Sequence, residues 1–232
     1  MHRKESRYLL AMVFPLAILI AAHTTLAATP APAAPGPPLS SNFPGPFWEV
    51  TAPAGGTASV SNAHLFLNVP GGSNHDALTS GNQAVRVVQP IGNTAFDVSI
   101  KIDSTIAAGS EGVKEGLMVI SDASDFISYE LAADGTNIHL SAEIVTGGVA
   151  TTVLDDASFS HYQSPIYLRL TRAASTFGAY YSIDGVAWTP ATTFTDSKVP
   201  KLIGPFASNY SPTPSKAIPV EISVNWFEVQ PK

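Results

Sequence analysis

The chain has 232 residues, a length that suits one domain with short additions at its ends. Its formal net charge is −6, and no cluster of lysine and arginine offsets it, so nucleic acid is excluded as an expected partner. The chain contains no cysteine, which excludes disulfide bonds, thiolate nucleophiles and cysteine-based zinc sites. A folded domain must therefore rely on an ordinary hydrophobic core.

The N-terminus predicts a signal peptide over residues 1–27. A basic start, from His2 to Arg7, is followed by an apolar run from Tyr8 to Ala22, and Thr25-Leu26-Ala27 provides a small-x-small cleavage site. The apolar run is shorter than the roughly 20 residues that a membrane span needs, so we expect no membrane span after cleavage. Without a cysteine at the cleavage site, we expect no lipid anchor there. These features predict a secreted or periplasmic protein, of a kind common in bacterial export.

A Pro/Ala-rich linker is predicted over residues 28–39. The stretch TPAPAAPGPP, from Thr29 to Pro38, has few side chains that could pack in a core. Its composition favours an extended, polyproline-like spacer. We therefore expect the folded domain to occupy residues 40–232.

The pattern of the remaining chain is typical of β-strands. In FDVSIKID, from Phe96 to Asp103, apolar and polar residues alternate strictly, which predicts a strand with one buried and one wetted face. The same alternation begins at Leu65, Ile138 and Ile166, whereas GLMVIS, from Gly116 to Ser121, is apolar on both faces and suits a central strand. No convincing helical period follows the signal peptide. We expect about eleven short strands.

Glycine-containing pairs predict the turns between these strands. Asp134-Gly135 and Gly147-Gly148 can each close a two-residue hairpin, because both supply positive φ angles. Asp184-Gly185 is interpreted as a type I′ turn, with Trp188 packing into the core on the returning strand. The same stretch resembles a sialidase Asp box, but its Asp and Gly are adjacent and it does not repeat. The predicted fold class is all-β, a two-layer antiparallel β-sandwich or jelly roll.

Two stretches resemble a known family. YLRLTRAASTFGAYYSIDGVAW, from Tyr167 to Trp188, is similar to a strand pair of concanavalin A-like sandwich domains. VPGGSNHDALTSGNQAVRVVQPIGNTAFDVSIKIDS, from Val69 to Ser104, resembles the bacterial DUF1349 subgroup in its Gly-rich His-Asp loop, its Asn-x-x-x-Arg-x-x-Gln spacing and its Phe-Asp-Val strand. The matching residues are His75, Asp76, Asn82, Arg86, Gln89, Phe96 and Asp97.

The resemblance extends from about Phe47 to Val229 and implies a concanavalin A-like jelly roll of the lectin/glucanase superfamily. The chain departs from the subgroup at two positions. Relatives often carry Gln where this chain has Glu115, and Arg where it has Ser128. Those differences leave open any polar network that depends on these two positions.

The superfamily includes sugar binders and glucanases, and the residues favour the binders. Glucanases of the best-known branch carry Glu-x-Asp-x-Glu on one strand, which places the carboxylates on one face for retaining hydrolysis. This chain has no such triplet, so no catalytic residue is assigned. The stretch FISYELA puts Phe126, Ser128 and Glu130 on one face, where Glu130 could line a sugar groove. The preferred interpretation is an ion pair of Glu130 with Arg86 or Arg169.

Two loops raise the question of ligands. His75-Asp76 follows a Gly-rich stretch, and two ligands do not make a zinc site. We prefer a structural loop in which Asp76 accepts backbone N–H bonds with His75 as a partner, and sugar contact is the second interpretation. Asp122 and Asp125 are weak calcium candidates that also fit ordinary turns. Calcium is the one cofactor left open.

The leading hypothesis is a secreted, non-catalytic, carbohydrate-binding protein of lectin-like type. Its partner would be a polysaccharide or another glycan. One alternative is a hydrolase or lyase that cleaves glycans with a dispersed carboxylate pair, such as Glu130 with Glu221. The other is a structural or adhesive module that binds protein. The candidate sugar contacts are His75, Asp76, Asn82, Arg86, Tyr129 and Glu130.

Overall fold

The computed structural model describes residues 48–78, 81–157 and 159–232, and the predicted signal peptide and linker lie outside them. The described residues form fourteen strands and two short 3-10 segments, Pro53–Gly55 and Pro214–Lys216. The strands, in chain order, are β1 (Glu49–Thr51), β2 (Thr57–Ser61), β3 (His64–Val69), β4 (Val85–Pro90), β5 (Phe96–Ile102), β6 (Lys114–Ile120), β7 (Phe126–Ala133), β8 (Ile138–Thr146), β9 (Val149–Asp156), β10 (Ile166–Ala173), β11 (Thr176–Ser182), β12 (Thr189–Thr195), β13 (Leu202–Ser208) and β14 (Val220–Pro231). Strands as short as β1 show no alternation that would reveal them, so the sequence predicted fewer.

The strands pair into two antiparallel sheets of seven. Sheet A has the order β1-β4-β13-β6-β7-β8-β9, and sheet B has the order β12-β11-β10-β5-β14-β3-β2. β6 lies in the middle of sheet A and is buried along nearly its whole length, as GLMVIS predicted. The prediction of an all-β, two-layer antiparallel sandwich is confirmed. Within the described residues, no helix has the length and hydropathy of a membrane span.

The main core lies between the two sheets and follows the alternation of the strands. Phe96, Val98, Ile100 and Ile102 on β5 are all fully buried. They meet the inward residues of sheet A, such as Leu131 on β7, in one apolar cluster. Burial of large apolar side chains of this kind contributes about 1.5–3 kcal/mol each, so this interior is the main source of stability.

The outer face of sheet B is covered more than the sequence predicted. Asp97 and Ser99 on β5 were expected to be wetted, yet they are 7% and 9% exposed. Arg169 of β10 donates to both carboxylate oxygens of Asp97 and packs 5.4 Å from the ring centre of Trp188. The prediction that Trp188 packs into the core is therefore wrong. Trp188 instead helps to cover this outer face beside Trp226.

Two of the three predicted turns differ in length from the prediction. Gly147-Gly148 forms the expected two-residue hairpin, with φ angles of 57° and 78°. The loop from β7 to β8 has four residues, because Asp134 accepts the N–H groups of Thr136 and Asn137 and holds it open. Asp184 caps the longer loop between β11 and β12 in the same way. In both loops, an aspartate side chain accepts N–H groups that backbone oxygens would accept in a tight turn.

Glu115 joins the two sheets through a buried polar network. Its side chain is 0% exposed and accepts hydrogen bonds from the hydroxyls of Ser104, at 3.0 Å, and Tyr162, at 3.2 Å. Ser104 in turn accepts the N–H of Ser223 in β14. Burial raises the pKa of Glu115 to about 7, although the two hydroxyls favour the charged form. The carboxyl therefore titrates inside the fold, near neutral pH.

Exchanging Glu115 for glutamine is expected to remove a pH-dependent loss of stability. Between about pH 4.3, where a glutamate of the unfolded chain titrates, and pH 7, the folded chain binds more protons, so wild-type stability falls as pH rises. The variant should match the wild type near pH 4.5 and exceed it by about 2–3 kcal/mol at pH 8. Urea denaturation at both pH values measures this, with Glu221→Gln on the surface as control. An equal difference at the two pH values would contradict it.

Candidate functional site

A cavity of about 300 Å³ opens on the outer face of sheet A. Its volume is at the lower end of the range for small-molecule pockets. The floor comes from four neighbouring strands, β13, β6, β7 and β8, and consists of Lys114, Ser128, Glu130, Glu143, Phe206 and Ser208. The walls come from the loop after β3, with Asp76 and Leu78, and from Tyr210 after β13.

A lysine flanked by two carboxylates occupies the floor. Lys114 Nζ lies 2.5 Å from Glu130 Oε1 and 3.3 Å from Glu143 Oε2. The Glu130 side chain is 1% exposed, whereas those of Lys114 and Glu143 are 29% and 17% exposed. The cluster is therefore closed beneath Glu130 and open to solvent on the side of Lys114.

Lys114 and Glu130, the closest pair, each shift the pKa of the other. Burial raises the pKa of Glu130, the Lys114 ammonium opposes that shift, and the carboxylate of Glu143 reinforces it. Burial acts to lower the pKa of Lys114, but the two carboxylates outweigh burial and raise it. Lys114 therefore stays charged over the physiological range, held by both carboxylates.

Strand register explains how these side chains meet. Alternation along β7 points Ser128 and Glu130 outward together, and Glu143 on β8 stands directly opposite Ser128. On β6, Gly116 is the residue opposite Glu130, so Lys114 is its diagonal neighbour across the pair of strands. A Cβ on Gly116 would lie 2.2 Å from the backbone oxygen of Tyr129. Glycine at this position lets β6 approach β7 closely beneath the cluster.

The two walls are fastened to each other by asparagine side chains. Asn74 donates to the backbone oxygen of Ser211 at 3.0 Å and accepts its N–H at 2.8 Å. The N–H of His75 is bonded to Asn209, within 2.9 Å of the side-chain oxygen and 3.1 Å of the backbone oxygen. These residues immediately precede Asp76 on one wall and flank Tyr210 on the other. The walls are thus one connected structure.

Two of the six candidate contacts line the cavity. Glu130 is the buried carboxylate of the floor, and Asp76 forms part of the wall while its Oδ1 accepts the N–H of Leu78 at 2.7 Å. That bond agrees with the preferred sequence interpretation of the loop. The role of either residue in binding stays a prediction.

The other four candidates lie away from the cavity. His75 is fully buried, with its ring nitrogens 3.2 and 3.3 Å from backbone oxygens of Ser73 and Ala54. Tyr129 is also fully buried and points into the core, on the face of β7 opposite Glu130. Among the described residues its hydroxyl has no hydrogen-bond partner. Neither side chain reaches the cavity in this conformation.

Asn82 and Arg86 stabilise the approach to β4. The Asn82 side chain is 2% exposed and donates to Met118 Sδ at 3.3 Å. Arg86 donates to the backbone oxygens of Asn82 and Ala84 at 2.9 and 3.2 Å. The predicted ion pair of Glu130 with Arg86 or Arg169 is wrong, because Lys114 takes that place.

The calcium candidates occupy the turn between β6 and β7. Asp122 Oδ1 accepts the N–H and the hydroxyl of Ser124 at 2.9 and 3.0 Å, and Asp125 Oδ1 accepts the N–H of Gly147 at 3.1 Å. No cluster of three or more metal-ligating side chains occurs among residues 48–78, 81–157 and 159–232. Calcium binding stays a prediction.

The carboxylate pair suggested for catalysis is not assembled. Glu221 is exposed on β14 of sheet B, beside a separate depression of about 440 Å³, whereas Glu130 lies on the outer face of sheet A. Sequence reasoning missed Glu143 as the neighbouring carboxylate and Lys114 as the cation between the two. Both residues lie on the strands that pair with β7. Their proximity to Glu130 can be predicted only when the pairing and register of those strands are known.

No protein-family model matches the chain, and no curated protein matches it either. Solved structures match in fold. A functionally unknown protein from Saccharomyces cerevisiae aligns with a TM-score of 0.63 at 15% identity, over 80% of this chain and 95% of that one. The GH43 protein BlXynB from Bacillus licheniformis aligns with a TM-score of 0.60 at 16% identity, over 74% of this chain and 34% of that one.

A xylan β-1,4-xylosidase from Bacillus halodurans C-125 aligns with a TM-score of 0.54 at 15% identity, over 86% of this chain and 41% of that one. The chain thus spans less than half the length of either Bacillus protein. Identities this low establish a likeness of fold alone. What the comparisons establish for this chain is its β-sandwich fold.

Proposed function

We propose that the chain is a secreted, non-catalytic, carbohydrate-binding protein whose sugar site is the cavity on sheet A. The observation that carries the proposal is the composition of that cavity. It combines a lysine, carboxylates and serine hydroxyls with the rings of Phe206 and Tyr210 within about 300 Å³. Sugar sites pair these same two components, polar groups for hydroxyls and aromatic rings for the apolar face of the ring.

The proposal assigns a task to each part of the cavity. Sugar hydroxyls donate to the carboxylates of Glu130 and Glu143 and accept from the Lys114 ammonium and the Ser208 hydroxyl. The apolar face of the sugar packs on Tyr210, which is 40% exposed at the rim. Single sites of this kind bind weakly, about −4 to −8 kcal/mol, so several copies acting together would strengthen attachment.

Membership of the DUF1349 subgroup and a secreted or periplasmic location in a bacterium belong to the same proposal. They rest on the sequence resemblance and on the predicted signal peptide. The fold likeness to GH43 proteins and to a xylosidase supports a glycan as partner, although the chain spans only 34% and 41% of the two compared above. A location outside the cytoplasm would give the protein access to polysaccharides.

The charge cluster favours binding over hydrolysis. Glycoside hydrolysis uses two carboxyl groups on either side of the scissile bond, one protonated and one free to attack or to activate water. Here Lys114 lies between the two floor carboxylates and is bonded to both. A substrate's anomeric carbon would have to displace that ammonium before both carboxylates could act on it.

Replacing Tyr210 by alanine is expected to weaken polysaccharide binding by about tenfold, because the sugar loses its stacking surface. Depletion of the purified chain by insoluble xylan, arabinan, mannan, cellulose and peptidoglycan measures it, with and without calcium. Tyr180→Ala is the matched control, since Tyr180 is a half-buried tyrosine on the outer face of sheet B, 5.7 Å from Arg169.

Either of two results would overturn the proposed function. One is that no polysaccharide depletes the chain, and the other is that Tyr210→Ala and Tyr180→Ala bind alike. Release of reducing sugar that Glu130→Gln abolishes would show that the chain is a hydrolase and would overturn the proposal that it is non-catalytic.

A further inference from the structure

Three acidic side chains and one basic side chain surround the cavity. Asp76, Glu130 and Glu143 carry the negative charges, and among the described residues that line the cavity Lys114 is the one cation. With all four ionised, the cavity holds two more negative charges than positive ones. An anionic ligand entering it would approach like charges in a partly desolvated space, where repulsion is weakly screened.

Lys114 and Arg86 each direct donors at partners within the fold. Two donors of Lys114 are directed at Glu130 and Glu143. Arg86, the next guanidinium on the outer face of sheet A, donates through Nη1 to the backbone oxygens of Asn82 and Ala84 and to the Asn82 side chain. Recognition of a carboxylate or sulfate normally relies on a cation that can turn its donors to the ligand.

The other groups that line the cavity suit a ligand that carries hydroxyl groups. Carboxylates are acceptors only, so they favour ligands that present O–H donors. Leu78, Phe206 and Tyr210 supply apolar surface on the same cavity. A neutral sugar offers both kinds of surface, hydroxyls around its edge and C–H groups on its face.

Building on the proposed function, we propose that the cavity takes uncharged sugar units and rejects uronates and sulfated sugars. Glu143 is the residue that sets this selectivity, because its carboxylate helps to hold the Lys114 ammonium away from an incoming anion. The ligand class is therefore a neutral glycan, and acidic polymers such as polygalacturonate or alginate are excluded by charge.

Affinity electrophoresis of the wild-type chain tests the selectivity. The neutral probes are arabinoxylan, linear arabinan, mixed-linkage β-glucan and galactomannan, and the anionic probes are polygalacturonate, alginate and chondroitin sulfate. We expect at least one neutral polymer to retard the chain and every anionic polymer to bind about tenfold more weakly or not at all. Since this comparison uses only the wild-type chain, it does not depend on how any variant folds.

The outcomes separate this inference from the proposed function. In one outcome, an anionic polymer retards the chain as strongly as a neutral one does, and the retardation is lost in Tyr210→Ala. That result would leave the sugar site in place and overturn the charge selectivity. Retardation by no polymer of either kind would overturn both.

Glu143→Gln provides a gain-of-binding test. The substitution removes one negative charge and replaces the ion pair of Lys114 with at most a weaker bond to an amide oxygen, so binding of anionic polymers should increase by about tenfold relative to the wild type. Glu221→Gln makes the same change of charge on exposed sheet B and should leave the pattern unchanged. An unaltered preference in a folded Glu143→Gln chain would contradict the role given to Glu143.

Discussion

Replacing Lys114 by methionine is expected to lower the free energy of unfolding by about 3–5 kcal/mol at pH 8. Methionine keeps much of the apolar stem but removes the ammonium that lies 2.5 Å from Glu130. Glu130 is only 1% exposed, so its charge would be left buried without a cation and next to Glu143. Removing one partner of a buried pair is costly for this reason.

The loss should be smaller at acidic pH. Burial already raises the pKa of Glu130, and without Lys114 the hydrogen bond from Ser128 is the contribution that still opposes that shift, so the pKa rises further. A carboxyl whose folded pKa lies above its unfolded value withdraws stability as pH rises through the interval between the two. Urea denaturation at pH 5 and pH 8 should therefore show a nearly wild-type chain at the lower pH and a destabilised one at the higher pH.

Two further variants test the cause. Adding Glu130→Gln to Lys114→Met should restore most of the lost stability, because glutamine can be buried without charge. Lys101→Met is the matched control, since Lys101 lies 2.9 Å from Asp103, whose side chain is 21% exposed. Because its carboxylate is partly exposed to solvent, that pair should contribute less than about 1 kcal/mol. Equal losses for the two lysines would show that burial of the partner is irrelevant.

Replacing Gly116 by alanine is expected to destabilise the sandwich by about 3 kcal/mol, at the upper end of the usual cost of overpacking. A Cβ there would lie 2.2 Å from the backbone oxygen of Tyr129 and 2.7 Å from Cα of Glu130. Because both contacts are with backbone, no side-chain rotation relieves them. The strands β6 and β7 must separate, which displaces Glu130 from Lys114.

Thermal denaturation and polysaccharide depletion should both detect the change at Gly116. Gly109→Ala is the control, because no heavy atom lies within 4 Å of a Cβ at that position and its φ is outside the left-handed range. That variant should melt within a few degrees of the wild type. If Gly116→Ala also melts within a few degrees of the wild type, β6 and β7 can move apart more easily than their contact distances indicate.

Alternation in the sequence was sufficient to predict the two-layer sandwich but not which side chains cover its outer faces. The apolar residues of β5 were assigned to the core correctly, since an alternation with a period of two residues indicates which side chains share a face of the sheet. It does not state whether a second set of side chains covers the opposite face, as Arg169 and Trp188 do over Asp97. Turn prediction failed where an aspartate accepted nearby N–H groups, as at Asp134, and succeeded at Gly147-Gly148.

The site was predictable only in part, because it is built across strands. Glu130 was found from its own strand and Asp76 from its loop. Lys114 was missed because a lysine at the start of a strand usually lies in solvent. Its proximity to Glu130 depends on the register of β6 against β7, and the sequence of either strand alone does not specify that register. Tyr129 adjoins Glu130 in the chain, and for that reason faces the other way.

Asn209 joins three segments of the chain with one side chain. Its oxygen accepts the N–H of His75, and its nitrogen donates to the backbone oxygens of Pro70 and Ile218 at 2.9 and 2.7 Å. The wall that carries Asp76 is therefore ordered while the protein folds. The conformational entropy of fixing that wall is lost during folding and not during association, so a ligand meets a preorganised surface and its affinity does not carry that cost.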